Sequence, residues 1–75
     1  MLEQLKELMA EALNLKEEEI VPTANLRDDL GIDSLDAVEL IMELEDTFEI
    51  SIDDEEAQKF TTIADILATL EQKVG

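Results

Sequence analysis

Asp33-Ser34-Leu35-Asp36-Ala37-Val38-Glu39-Leu40-Ile41-Met42-Glu43-Leu44-Glu45-Asp46-Thr47-Phe48 is the stretch whose reading decides the fold. An aspartate opens it, followed by apolar residues at helical spacing, so it predicts a helix from Ser34 to about Phe48. The Asp33 carboxylate is a good N-cap, able to accept from free amides of the first turn, which is worth about 1 kcal/mol. Asp36 takes the place of a capping-box acid three residues on. At about 100° per residue, Ala37, Leu40, Ile41, Leu44 and Phe48 cluster on one side and are expected to face a core. Leu35, Val38 and Met42 form a second stripe pointing well away from the first. A surface helix of a small domain buries one side only. The plain alternatives are that Leu35 tucks beneath the preceding loop, or that exposed apolar residues simply occur. The functional alternative is a small docking patch rimmed with carboxylates, in which Met42 adapts to several surfaces.

Working outward, Ile20, Val21 and Pro22 begin a long connection that lasts until about Asp33, because proline lacks an amide donor and disfavours helix before it. Leu26, Leu30 and Ile32 are expected to pin this loop to the core. A loop of more than about ten residues is long for a small domain, and such loops are often functional. Before it, Leu2, Leu5, Leu8, Met9, Ala12 and Leu13 step by three and four and predict a helix from Leu2 to about Leu15. Asn14 can end it in the left-handed conformation. Lys16 to Glu19 form a short turn. After the central helix, Asp53 or Asp54 can cap a short helix through Glu55, Glu56, Ala57, Gln58 and Lys59. Thr62 then starts a last helix with Asp65 three residues on, Ile63, Ile66, Leu67, Leu70 and Val74 on its apolar face, and Lys73 at the favourable end of its dipole. The expected fold is all-α: a small four-helix bundle of three longer helices and one short one, with a long loop between helices 1 and 2.

The chain has 75 residues, enough for one domain, 1–75. A domain of this size buries only about 60% of the surface its unfolded chain exposes, leaving little room for an enclosed active site. Cysteine, histidine, tryptophan and tyrosine are all absent. The usual general base, zinc ligands and thiol nucleophile are therefore missing, so neither an enzyme nor a metal site is expected. Twenty-one acidic residues face five basic ones, for a formal net charge of −16. Such a field repels nucleic acid and anionic membrane and steers the chain toward basic protein surfaces. Disorder fits poorly, since 45% of residues are apolar and fall at helical spacing. No apolar run reaches the roughly 18 residues of a membrane span, and the N-terminus lacks a signal-peptide pattern, so a cytoplasmic location is expected.

Ser34 stands at the helix start, directly after the loop. On position alone it reads as a cap, because no histidine or lysine lies beside it to activate its hydroxyl. Its surroundings point further. The run Asp28-Asp29-Leu30-Gly31-Ile32-Asp33-Ser34-Leu35-Asp36-Ala37-Val38-Glu39-Leu40 closely resembles the attachment-site motif of the acyl carrier protein family. The likeness extends to Asp53-Asp54-Glu55-Glu56-Ala57 and Lys59-Phe60-Thr61-Thr62, and is weakest in the first helix. It implies that a phosphopantetheinyl transferase attaches 4′-phosphopantetheine, taken from coenzyme A, to Ser34. The arm would bring the thiol that the chain lacks. The resemblance further implies docking to partner enzymes through Asp33, Leu35, Asp36, Val38, Glu39, Met42, Glu45 and Asp46, and an acyl chain sheltered among Leu44, Ile52, Ala57 and Phe60. Phe60 is larger than the aliphatic residue often found there. Arg27 stands where many relatives carry an apolar or acidic residue. By the same resemblance the chain is a monomer that carries acyl groups as thioesters between enzymes of fatty acid biosynthesis. Carriers for polyketide, aminoacyl or other specialised transfer share the serine and the arm and remain an alternative. An acidic adaptor without a prosthetic group is the competing reading from another class. An EF-hand is excluded, since Gly31 would require Leu26 as the first calcium ligand.

Overall fold

The structure, a computed structural model, describes residues 1–74. Four α-helices follow one another: α1 (Leu2–Leu13), α2 (Ser34–Phe48), α3 (Asp54–Gln58) and α4 (Ile63–Val74), with a single 3-10 turn at Glu17–Glu19. The expected all-α bundle of three longer helices and one short one is what the chain forms. α2 has the predicted bounds. α1 ends two residues before the expected Leu15, because Asn14 takes the left-handed conformation at φ 56°, ψ 44° and stops the helix there. α3 stops at Gln58, leaving Lys59 as its C-cap, and Thr62 precedes α4 rather than opening it.

Each longer helix contributes one face to a common core: Leu5, Leu8 and Met9 from α1, Leu40 and Leu44 from α2, Ile63, Ile66 and Leu70 from α4. The long connection supplies Ile20, Ala24, Leu26, Leu30 and Ile32, so the three loop residues expected to pin it are buried. Among the described residues no polar or charged side chain is buried. All the acidic charge thus lies toward solvent, where it costs little desolvation. One expectation fails on α2: Ala37 is exposed, and Ile41 and Phe48 are only half-buried. The core reaches the middle turns of α2, whereas Ala37, near its N-terminus, faces an open cleft.

Hydrogen bonds fix the loop. The Asn25 side-chain carbonyl accepts from the amides of Arg27 and Asp28, each at 2.9 Å, while the Asn25 amide donates to Asp29 Oδ2 at 2.7 Å. The Leu26 amide donates to the Thr61 carbonyl at 2.9 Å and the Ile63 amide to the Ala24 carbonyl at 3.1 Å, stitching the loop to the start of α4. Gly31 adopts φ 65°, where an L side chain costs about 1–2 kcal/mol. It delivers the chain into Asp33 in an extended conformation, ready to cap α2.

Candidate functional site

Asp33 is the N-cap of α2, and its Oδ1 accepts from the Asp36 amide at 2.9 Å. Ser34, the first residue of the helix, is therefore not the cap, and it is exposed. The chain has no histidine to activate the Ser34 hydroxyl.

Ser34 opens on a cleft of about 860 Å³ between α2, α3 and the long loop. Val38 and Met42 line it from α2, Ile52, Ala57 and Phe60 from the α3 side, and Arg27 and Asp28 from the loop. Three of the four residues expected around an acyl chain thus share the cleft with Ser34. Leu44 does not. It is fully buried in the core, because its position on α2 turns it away from the cleft and toward the other helices.

The second stripe of α2 lies in solvent: Leu35 is 81%, Val38 58% and Met42 63% exposed. Asp33, Glu39 and Asp46 are exposed around it, and Asp36 is half-buried. Met42, Glu43, Glu45 and Asp46 enclose a shallow depression of about 430 Å³. Glu45 has a structural role that periodicity could not reveal. Its Oε2 accepts from the Ile52 amide at 2.9 Å and ties the segment after α2 back onto the helix. Ala37 and Arg27 also reach the cleft. In the sequence, Arg27 is marked as a cation among acids at a position where many relatives carry an apolar or acidic residue, and Ala37 only by its small size.

The far wall of the cleft is α3. Glu56 Oε1 pairs with Lys73 Nζ of α4 at 3.2 Å and accepts from the Asp53 amide at 3.4 Å. The hydrogen bond from Lys73 is the main reason the Glu56 carboxyl titrates below its ordinary value. Asp65 is lowered by the amides of Thr61 and Thr62, which donate to its Oδ2 at 2.9 and 3.0 Å. These bonds hold the α3–α4 corner against which the loop is stitched.

Residues 3–70 match the family described as the phosphopantetheine attachment site. Among solved structures, the chain is similar to a protein from Mycobacterium tuberculosis provisionally described as an acyl carrier protein. The two superpose with a TM-score of 0.87 at 34% identity, covering 93% of each chain. A capped helix start on an open cleft, in a chain without a thiol of its own, agrees with that likeness. The chain belongs to the phosphopantetheine attachment-site family, as an acyl carrier protein that bears a covalent prosthetic group and is not an enzyme.

Proposed function

We propose that Ser34 carries the 4′-phosphopantetheine arm, and that the protein shuttles growing acyl chains as thioesters between enzymes of fatty acid biosynthesis, working as a cytoplasmic monomer. The observation that carries this reading is an exposed serine, freed from capping by Asp33, at the mouth of a cleft in a chain of this family. The residues around it suit the group. The Ser34 hydroxyl is accessible to a transferase, and the first-turn amides of α2 favour an anion at this end of the helix. When attached, the arm supplies the thiol that forms the acyl thioester.

The chain's own residues do the rest. Asp33 fixes the helix start and hence the place of the Ser34 oxygen. Leu35, Val38 and Met42 form the apolar centre on which partner enzymes dock. Asp33, Asp36, Glu39, Glu45 and Asp46 form its acidic rim and draw in their basic surfaces. Ile52, Ala57 and Phe60 give an acyl chain an apolar wall inside the cleft. Leu44 faces the core on the other side of α2 and meets an acyl chain only if the core opens.

Intact mass after incubation with coenzyme A and a phosphopantetheinyl transferase tests the attachment. The wild-type chain should gain one arm, and Ser34→Ala should fold normally, since Asp33 still caps the helix, yet gain none. An arm on the Ser34→Ala protein overturns the assignment. Acyl groups recovered on the protein from cells test the pathway: saturated fatty acyl intermediates support it, and aminoacyl or polyketide groups replace it.

A further inference from the structure

The chain holds five cations, Lys6, Lys16, Arg27, Lys59 and Lys73. Lys73 is engaged with Glu56. Arg27 alone among the five lines the cleft onto which Ser34 opens. Asp28 and Asp29 follow it in sequence, yet among the described residues it forms no ion pair. One nearby carboxylate is occupied elsewhere: Asp29 Oδ2 accepts from the Asn25 amide. The Arg27 backbone is held at both ends, its amide donating to Asn25 Oδ1 at 2.9 Å and its carbonyl accepting from the Gly31 amide at 3.1 Å. An exposed guanidinium therefore stands on a fixed base, on the same cleft as the serine, with its donors unspent.

A phosphodiester on Ser34 adds a permanent anion beside Asp33 and Asp36 in a chain already at −16. Like charges so close oppose it. A guanidinium presents a planar fork of donors that matches two phosphate oxygens, which an ammonium does not. We propose that Arg27 pairs with the phosphodiester of the arm and so pins the root of the arm over the cleft. The pairing rests on Ser34 being the attachment site. It narrows the directions the arm can take from Ser34 and biases its free end toward the wall formed by Ile52, Ala57 and Phe60.

The test compares arm-free and arm-bearing protein, with loading at Ser34 verified by intact mass before anything else is measured. In 15N–1H spectra of the wild-type chain, the Arg27 Nε–H resonance should shift on loading. Melting midpoints of wild type and Arg27→Gln, each with and without the arm, then give the coupling. At low salt the arm should lower the midpoint of Arg27→Gln by about 2–5 °C more than that of wild type. The difference should shrink in about 0.5 M salt, where such a pair is screened. Arg27→Lys should fall between the two. If Ser34 gains no arm, both the attachment site and the pairing fall. If the arm is present but the Arg27 resonance does not move, or the midpoint changes on loading are equal in wild type and Arg27→Gln, the pairing alone falls.

Discussion

α2 and α4 pack on the same core and make different use of their apolar residues. α4 spends Ile63, Ile66 and Leu70 entirely on the interior, each with no exposed surface, while Val74, expected on the same face, lies at the helix end and is 46% exposed. α2 buries Leu40 and Leu44 and holds Leu35, Val38 and Met42 out in water. A helix selected only to fold would resemble α4, with one apolar face and a polar remainder. The surplus on α2 is therefore what marks it, more than its hydrophobicity: three large apolar side chains that the fold does not need, on the element that also begins with Ser34.

The largest expected effects separate the two kinds of position. Leu44→Ala and Ile66→Ala each remove a fully buried side chain and should cost about 2–5 kcal/mol in denaturant unfolding, the spread depending on how far the cavity collapses. Met42→Ala touches a residue already in solvent and should stay within about 0.5 kcal/mol, while weakening capture by partner enzymes. A Met42→Ala chain as unstable as Leu44→Ala would erase the contrast between the two stripes and force the docking face to be redrawn.

Much of this contrast was legible in the sequence, and the places where it was not have physical causes. Periodicity assigned Leu40 and Leu44 inward and Leu35, Val38 and Met42 outward, because a 100° step fixes which residues share a face. It also placed Ala37 inward, wrongly, since angular position does not say how far along the helix the core extends. Asp33 as cap was readable because a cap is a local device. Glu45 reaching the Ile52 amide seven residues on, and Leu44 lying behind the cleft rather than in it, depend on how separate elements meet. No local pattern encodes that. The attachment motif drew attention to Ser34, but only the fold put Arg27 on the same cleft.

The two helix starts differ as well, and the difference has a pH signature. At α2 the cap carboxylate reaches forward, from Asp33 to the Asp36 amide. At α4 Asp65 reaches back to the amides of Thr61 and Thr62, and those bonds hold its carboxyl below the ordinary value. Asp65→Ala should cost about 1 kcal/mol, the scale of a lost capping interaction. Because the folded-state pKa is depressed, the unfolded chain binds the proton more readily. Stability from Asp65 is then fully present above the ordinary value of about 3.9 and lost as the pH falls through the folded value. Unfolding free energies measured across that window should show a shallower acid limb in Asp65→Asn than in wild type. An unchanged slope would mean that the α4 corner draws nothing from this charge.

The smallest expected effect on the fold is at Glu39, and it sharpens the comparison by testing the rim apart from the apolar centre. Glu39 is exposed on α2 with no hydrogen bond holding it to the core, so Glu39→Lys should leave stability within about 0.5 kcal/mol. It changes the formal charge from −16 to −14 (−16 + 2), and does so on the proposed docking face. Rim charges act mainly on encounter, whereas buried contacts govern how long a complex lasts. Association with a phosphopantetheinyl transferase should therefore slow about two- to fourfold at low salt while dissociation changes little. The dependence of the association rate on ionic strength should flatten, because fewer charges remain to be screened. Stopped-flow binding over a salt series, run beside Met42→Ala, reads both quantities. Met42→Ala should raise the dissociation rate and keep the wild-type salt dependence. If the two substitutions alter the same rate constant in the same way, the acidic rim and the apolar centre do not divide the work of docking between steering and holding.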